Sequence, residues 1–496
     1  MRYRFMLAQH VGRPAVPSVK PGEAVTRGQR LASKPDGALG AHVHSSVDGE
    51  VAAVCSLYVD VEATGPSLDI SPGQGAAADP GIVAAADPGI VAAAGSGIGA
   101  ATGSGIGAAA GSGPIAAASP VAGSGAAGGE AYVPIGGSTV LEMIEEAGIV
   151  GCGGAGFPTA AKLARPLGPG GLLILNAAEC EPTLRHNITL LESDPARAIC
   201  GMLHAMRTVQ AERGAIAIKE KHAKAIRSLR GVIDRSDKIS IHFLEDHYPS
   251  GEERAAIRDV AGVLLRPDQL PFEAGCVVLN VETAARIADA AEHRKPVMSK
   301  DLTLAGQYCG AAFRDRNSVP LMDVPLGLPV SALIEHAGGL SQDFGELLGG
   351  GPFTGKAVLP ATPVTKTMGG LAATMPFLRV NEKMGLLVCA CGADQQRLME
   401  LAAAMGGEVA GIEHCKQSAQ MPNGTRKCEN PGHCPGQAEK VISLYRQGAR
   451  ALLISNCSDC TNTVMTIADR LPVKVYHSTD SLLRTAGPGL IRRKHI

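Results

Sequence analysis

The sequence predicts a multidomain α/β protein, and three observations lead to this prediction. Helical and strand patterns alternate between residues 136 and 300, which favours a layered fold with a largely parallel sheet. Between residues 72 and 130 the composition changes to Ala, Gly, Ser, Pro and Ile, with repeats, which is typical of a linker. Beyond residue 384, two strand patterns end at cysteines and lead into helices. A chain of 496 residues has room for several such domains.

Charge and composition exclude several classes of function. The net charge is −1 and aromatic residues make up 3%, so neither a nucleic-acid surface nor an anionic-membrane surface is indicated. We find no uninterrupted run of 18 apolar residues and no signal-peptide layout at the start, so we expect a cytoplasmic protein without a membrane span. The 13 cysteines, an odd number, favour reduced thiols, redox chemistry or metal binding over a secreted disulfide framework.

A glycine-rich loop between residues 151 and 156 is the first candidate site. A helix precedes it, opened by a capping box of Thr139 and Glu142 and ended by Gly148. Glycines can turn through positive φ angles and let backbone N–H groups converge on an anion. The loop glycines are Gly151, Gly153, Gly154 and Gly156. We interpret the loop as a phosphate cradle, with a tight turn as the alternative.

The next strand, residues 171–176, delivers polar side chains to its carboxyl end. These are Asn176, Glu179 and Glu181. Ligands of open α/β sheets lie at this end of the strands. The sequence therefore predicts that the glycine loop and the two carboxylates belong to one site.

Four ordered motifs carry a resemblance to a known family. They are residues 153–159 (GGAGFPT), 176–182 (NAAECEP), 248–253 (YPSGEE) and 280–283 (NVET). Their order and spacing resemble the FMN- and NADH-binding subunit of respiratory complex I and its relative, the C subunit of the Rnf electron-transport complex. The resemblance implies FMN and NADH as cofactors. The cofactor-binding residues that it implies are Gly151, Gly153, Gly154, Gly156, Phe157, Lys162, Asn176, Glu179, Glu181, Tyr248, Gly251, Glu252, Glu253, Asn280 and Thr283.

Some of these residues also have ordinary structural explanations. Glu252 and Glu253 open a helix, where carboxylates favour the helix dipole. Asn280 and Thr283 flank the start of another helix and could cap it. Cys152 and Cys180 stand inside two motifs where relatives use other residues.

The resemblance also implies the domain plan. The N-terminal strands resemble the barrel-sandwich domain of lipoyl and biotinyl carriers, but the turn at residues 37–40 has no lysine, so we expect packing or docking rather than carrier chemistry. We expect His42 and His44 on the surface. The predicted domains are a barrel-sandwich hybrid at 1–70, a low-complexity linker at 71–133, an α/β flavin-binding domain at 134–300, an SLBB-like β-grasp module at 301–380 and an α/β Cys-rich redox domain at 381–496.

The C-terminal cysteines differ from the ferredoxin-type runs of the Rnf protein. Cys457 and Cys460 form a C-x-x-C pair between a strand and a helix, where helix N–H groups stabilise a thiolate, so we predict a redox dithiol. Cys389 and Cys391 are expected in a neighbouring strand, too poorly placed to bond each other, with the Cys457 pair as exchange partner. The alternatives are a zinc or Fe–S site, whose candidate ligands are Cys415, Cys428 and Cys434, and inert structural thiols.

The functional prediction is electron transfer. We expect the chain to take hydride from NADH onto FMN and to pass electrons through cysteines to a partner reductase. The wider chain resembles Rnf-C-like proteins associated with D-proline reductase, which implies that enzyme as the partner. The alternatives are a component of an Rnf-type complex and a docking adaptor that retains the fold without the cofactor.

Overall fold

We describe a computed structural model of the chain over residues 1–65, 131–233, 237–314, 317–455 and 457–486. The predicted linker at 71–133 lies outside these residues except for 131–133. No helix among the described residues is both long enough and apolar enough to cross a membrane.

Seven short strands form the N-terminal domain. They are β1 (Arg2–Met6), β2 (Val16–Pro17), β3 (Ala24–Val25), β4 (Arg30–Ser33), β5 (Val43–His44), β6 (Gly49–Val54) and β7 (Tyr58–Ala63). They form two sheets, in the orders β1-β7-β6-β3 and β2-β4-β5. Tyr3 and Phe5 alternate with more exposed neighbours in β1 and point into the core. The expectation of surface histidines was wrong, because His42 and His44 are buried and burial lowers the pKa of both.

The second domain contains a four-stranded sheet whose pairings are all parallel, as the helix and strand alternation predicts. Its order is β10-β9-β8-β11. The elements are α1 (Val140–Glu146), α2 (Thr159–Leu163), β8 (Leu172–Ala177), α3 (His186–Ser193), α4 (Pro195–Thr208), β9 (Arg213–Lys219), α5 (Ala223–Ile233), β10 (Ile239–Leu244), α6 (Glu253–Ala261), β11 (Cys276–Asn280) and α7 (Val281–His293). The capping box of Thr139 and Glu142 opens α1 as predicted.

A mixed five-stranded sheet follows, in the order β13-β12-β16-β14-β15. Its elements are β12 (Ser299–Gly306), β13 (Ser318–Pro325), α8 (Val330–His336), β14 (Leu347–Gly349), β15 (Lys356–Ala357) and β16 (Gly370–Ala373). Buried charges join this sheet to α7, because Glu282 accepts hydrogen bonds from the Lys300 ammonium and from the Asp301 backbone N–H. Its assignment to the β-grasp class stays a prediction.

The last domain has a second parallel sheet, in the order β18-β17-β21-β22. Its elements are β17 (Met384–Val388), α9 (Gln395–Ala404), β18 (Val409–His414), β19 (Ser418–Gln420), β20 (Arg426–Cys428), α10 (Ala438–Arg446), β21 (Ala451–Ile454), α11 (Ser458–Ala468), β22 (Lys474–His477) and α12 (Asp480–Ala486). The strands β19 and β20 form a separate antiparallel hairpin. Tyr248 and Phe353, from the two preceding domains, pack into the core of this sheet.

Candidate functional site

The glycine loop has the open surface that a phosphate cradle requires. Gly154 has φ +137°, and a Cβ atom placed there would meet no atom within 4 Å. Within the described part of the chain, the amide N–H groups of Gly153 and Gly154 donate to no partner. A ligand can therefore approach Gly154 without displacing a side chain.

The first residues of helix α7 contact the glycine loop. Thr283 Oγ1 accepts a hydrogen bond of 2.9 Å from the Cys152 backbone N–H. Asn280 caps α7 by accepting from the backbone N–H of Glu282 at 2.9 Å and of Thr283 at 3.3 Å. A Cβ on Gly153 would lie 3.2 Å from the Asn280 amide nitrogen. Asn280 thus has the capping role considered in the sequence and also lies against the loop.

The polar residues after β8 lie at the same sheet edge. The Asn176 side-chain amide donates to the Gly251 carbonyl at 2.8 Å, and the Gly251 N–H donates to Cys180 Sγ at 2.7 Å. Burial raises the pKa of Glu179 to about 7. Among the described residues, the buried Glu179 Oε2 has no hydrogen-bond partner. A buried carboxylate oxygen without a partner fits a site that receives a polar ligand.

Glu181 points toward the third domain. It accepts from the backbone N–H groups of Phe353 at 2.9 Å and Thr354 at 3.1 Å, and from Thr354 Oγ1 at 2.7 Å. Burial raises the pKa of Glu181. A Cβ on Gly351 would lie 2.4 Å from the Glu181 carboxyl carbon, which explains the glycine there. Sequence reasoning missed this 350–355 loop as part of the site.

Several predicted cofactor residues contact one another. Lys162 Nζ lies 2.6 Å from Glu253 Oε1 and donates to the Val278 carbonyl at 3.0 Å. Glu252 caps α6 by accepting from two backbone N–H groups at 2.9 Å each. Phe157 remains 37% exposed. Glu252 therefore has the structural role at a helix start that the sequence suggested. Lys219, at the end of β9, is buried, and its Nζ lies 3.1 Å from Asp246 Oδ1.

Tyr248 connects the flavin-domain motifs to the cysteine domain. Its ring stacks on Phe353 with 3.7 Å between centroids and an interplanar angle of 6°. Its backbone N–H donates to Ser458 Oγ at 2.9 Å, and its hydroxyl donates to the Cys391 carbonyl. The motif at 248–253 thus lies against both cysteine segments that follow β17 and β21.

Seven cysteines form what we call the thiol network. They are Cys389, Cys391, Cys415, Cys428, Cys434, Cys457 and Cys460. The Cys391 thiol hydrogen-bonds to Cys389 and Cys428, Cys415 to Cys389, and Cys434 to Cys460. Gln437 Nε2 joins the two halves by donating to Cys415 Sγ at 3.1 Å and Cys434 Sγ at 3.2 Å. Residues predicted as two separate groups therefore lie together.

The expected geometry of Cys389 and Cys391 was wrong. Strand β17 ends at Val388, so both cysteines lie in the following loop, where the alternation of strand side chains does not separate them. Their thiols hydrogen-bond to each other, and the further thiol partner of Cys391 is Cys428.

The predicted dithiol lies at the start of α11. Cys457 is the N-cap residue, and its Sγ accepts from the Cys460 N–H at 3.3 Å. The thiol that hydrogen-bonds to Cys460 is Cys434, which also lies 3.2 Å from Thr463 Oγ1. These interactions, the Cys460 hydrogen bond foremost, lower the pKa of Cys434 to about 6. Sequence reasoning did not connect Cys434 with Cys460.

The predicted metal ligands do not form a compact donor group. Among the described residues, the group of Cys, His and acidic donor atoms that all lie within 4.8 Å of one another is Cys200, His204 and Glu292. Cys415, Cys428 and Cys434 do not form such a group. Sequence reasoning missed the first set, although a Cys and a His four residues apart in a helix were a readable signal.

Comparison with known proteins agrees with this geometry. Residues 1–72 match the RnfC barrel sandwich hybrid domain, and residues 144–289 match the Nuo51 FMN-binding domain. The second match includes the glycine loop, the Asn176 segment, Tyr248 and Asn280. The open loop and the unpaired Glu179 oxygen thus lie in a domain of the FMN-binding type.

Three curated relatives are similar to this chain. Cobalamin reductase PduS of Salmonella typhimurium is 38% identical over 47% of this chain and 49% of its own length. The C component of the Na(+)-translocating ferredoxin:NAD(+) oxidoreductase complex of Acetobacterium woodii is 28% identical over 77% and 75%. The C component of the ion-translocating oxidoreductase complex of Pseudomonas aeruginosa is 32% identical over 75% and 42%.

The matched region spans about half the length of PduS. The two matched domains follow one another here in the order that the family resemblance implies. The chain is therefore similar to RnfC proteins, with a region that matches the RnfC barrel sandwich hybrid domain followed by a region that matches the Nuo51 FMN-binding domain.

Proposed function

We propose that this protein transfers electrons from NADH to FMN, from FMN to the thiol network, and from the thiol network to a partner reductase. Bound FMN would supply the two-electron chemistry. The chain would supply binding, orientation and an exit for the electrons.

The observation that carries the proposal is the position of Tyr248. It belongs to a flavin-domain motif, yet its backbone and hydroxyl hydrogen-bond to Ser458 and Cys391 in the cysteine domain. Its ring packs in one core with Cys457 and Cys460, and Cys180 packs against that core. A short path between a flavin site and a set of thiols is what such a transfer needs.

The residues around the loop would have distinct roles. The amide groups of Gly153 and Gly154 would bind the phosphate of FMN, because both are unpaired and the space around Gly154 is open. Glu179, whose pKa is near 7, would hold or release a proton at neutral pH. Asn280 and Thr283 would keep the loop in place through the contacts described above.

The thiols would act as a two-electron store. When Cys434 and Cys460 form a disulfide, the thiolate and the thiol together lose two electrons and one proton. Reduced flavin would return the two electrons, and a disulfide or another two-electron acceptor of the partner would remove them. The C-x-x-C pair of Cys457 and Cys460 is the second candidate for this role, because Cys457 lies at the helix N-terminus.

The partner is proposed from resemblance alone. The likeness to the proline reductase-associated electron transfer protein PrdC favours D-proline reductase. The names of the relatives favour a corrinoid-reducing or an ion-translocating complex instead. A cofactor-free docking adaptor is the alternative that the Cys152 and Cys180 substitutions favour.

Stopped-flow absorbance of anaerobically purified protein tests the proposal, because the two half-reactions can be followed separately. We expect FMN in the purified protein and rapid bleaching by NADH. In the Cys460→Ser variant we expect unchanged bleaching, and electron transfer to a disulfide acceptor at least about tenfold slower.

Cys55→Ser is the matched control, because Cys55 is exposed in the N-terminal domain and should affect neither half-reaction. Protein without flavin would favour the adaptor. Wild-type transfer in Cys460→Ser would remove this thiol from the route and leave the Cys389, Cys391, Cys415 and Cys428 half of the network to be tested next.

A further inference from the structure

We propose that Cys200, His204 and Glu292 form a Zn²⁺ site that joins α4 to α7, independently of the flavin and of the thiol network. The donor atoms of the three side chains all lie within 4.8 Å of one another. The site lies outside the four motifs and contributes nothing to the electron route described above.

The fold brings these residues together through close helix packing. Cys200 and His204 are four residues apart in α4 and therefore share one face. Gly201 lies between them, and a Cβ placed there would come within 1.7 Å of the Ala284 carbonyl oxygen of α7. Because the glycine lets the two backbones approach, Glu292, two turns beyond Ala284, reaches the α4 pair.

The distances are close to those of a metal site. His204 Nε2 lies 2.5 Å from Glu292 Oε1, and Cys200 Sγ lies 3.9 Å from the same oxygen. Zn²⁺ binds sulfur at about 2.3 Å and nitrogen or oxygen at about 2.0 Å, so tetrahedral ligands lie about 3.3 to 3.8 Å apart. Small side-chain rotations would open the His204 to Glu292 contact to this range.

The donor types select the ion. A thiolate, an imidazole and a carboxylate together suit Zn²⁺ better than the hard cations Mg²⁺ and Ca²⁺, which take oxygen ligands. Three protein ligands leave a fourth position for water. The Glu292 side chain is 50% exposed and His204 is 15% exposed, so an ion can enter from solvent.

The electrostatic setting also favours a cation. His204 lies near the end of α4 and Glu292 near the end of α7, and helix carboxyl ends carry partial negative charge. Glu292 lies nine residues, or about 14 Å, along α7 from Thr283 at the glycine loop.

Zn²⁺ would therefore link α4 to α7 at the sheet edge away from the glycine loop. The expected consequence is higher stability of the second domain when Zn²⁺ is bound, because the ion binds the folded state and not the unfolded one. Alkylation of Cys200 would remove one ligand and abolish this effect.

Metal titration of the full chain tests the proposal. Co²⁺ is added to metal-free reduced protein, the thiolate-to-cobalt charge-transfer band is followed, and Zn²⁺ then displaces Co²⁺ to give the Zn²⁺ affinity. We expect Cys200→Ser to lose the band of this site and His204→Ala to weaken Zn²⁺ binding by more than about tenfold. Glu292→Gln keeps the size of an exposed side chain, so it should weaken binding without affecting the fold.

His293→Ala is the matched control, since His293 is the neighbouring exposed histidine of α7 and lies outside the donor group. We expect wild-type affinity and a normal rise in melting temperature with Zn²⁺ in this variant. Unchanged Zn²⁺ affinity in both Cys200→Ser and His204→Ala would overturn the proposal and would assign any bound metal to other cysteines. The readout does not involve flavin, so its result is independent of the proposed electron transfer.

Discussion

The glycine loop and the thiol network, which Tyr248 of the 248–253 motif contacts, are held in different ways. Residues of the loop site come from motifs that are short in sequence, and each motif stays at the end of its own strand or at the start of its own helix. The thiol network takes its members from the loops after β17, β18 and β20, from the end of β20 and from the start of α11, up to 71 residues apart between Cys389 and Cys460. Local signals can locate the first kind of site, whereas the second depends on strand order.

The two sites also differ in the hydrogen bonds that their polar atoms make. In the loop site, Asn280 and Glu252 bond backbone N–H groups at helix starts, so their positions follow from capping. In the thiol network, Cys434 of a loop and Cys460 of the first turn of α11 bond each other. A capping role can be deduced from one segment, but a thiol pair across two segments cannot.

We expect the largest effect from a substitution that blocks the glycine loop. In Gly154→Ala the new methyl would project into space that is open in this structure, and φ +137° is strained for a side chain, so FMN content should fall by more than about tenfold. The measurement is the flavin-to-protein absorbance ratio after desalting.

Gly170→Ala is the control for that variant, because Gly170 also has positive φ and open space around it but lies outside the motifs. It should keep its FMN. Melting of the flavin-free proteins separates backbone strain from ligand exclusion, and full FMN retention in Gly154→Ala would contradict the cradle.

A second experiment examines the thiol network. Because the Cys460 thiol donates to Cys434 and lowers its pKa to about 6, Cys434 should be alkylated by iodoacetamide with a half-maximal rate near pH 6. Cys460→Ala removes the donor, so the profile should shift to higher pH and the rate at pH 6 should fall roughly tenfold. Peptide mass spectrometry identifies the labelled cysteine.

Cys457→Ala is the comparison for that experiment, since Cys457 bonds the Cys460 backbone rather than Cys434. We expect Cys457→Ala to leave the pH profile of Cys434 alkylation unchanged. Equal shifts of the pH profile in both variants would mean that the start of α11, rather than the Cys460 thiol, determines the reactivity of Cys434.

The smallest effect concerns Glu179. Its pKa is raised from 4.5 to about 7 by burial, so the folded state binds more protons than the unfolded state between these values. Stability from this group is present below pH 4.5 and is lost as pH rises toward 7, by up to about 1.4 kcal/mol per pH unit. Glu179→Gln should show a flatter dependence of melting temperature on pH in flavin-free protein.

Asp48→Asn, in the N-terminal domain, is a control that leaves Glu179 intact and should keep the wild-type slope between pH 4.5 and 7. An identical slope in Glu179→Gln and wild type would show that Glu179 is solvated in solution.

Much of the second domain could be predicted from the sequence. The parallel sheet, the capping box at Thr139 and the polar residues at the end of β8 follow from periodicity and helix-start chemistry, which act over a few residues. The same reasoning missed β1 and β7, the strand pair that closes the N-terminal sheet, because Arg and Asp interrupt their apolar pattern. It also misjudged His42 and His44, because burial depends on what packs over a strand.

The sequence by itself determined the glycine loop, the motif order and the family resemblance, because each is carried by contiguous residues. Only the tertiary structure decided that Cys434 pairs with Cys460, that Cys389 contacts Cys391, and that Cys200, His204 and Glu292 meet between two helices. The physical reason is that thiol contacts and metal-ligand contacts form between side chains that lie a few ångströms apart in space. Strand order and a glycine at a helix crossing, not spacing along the chain, set those distances.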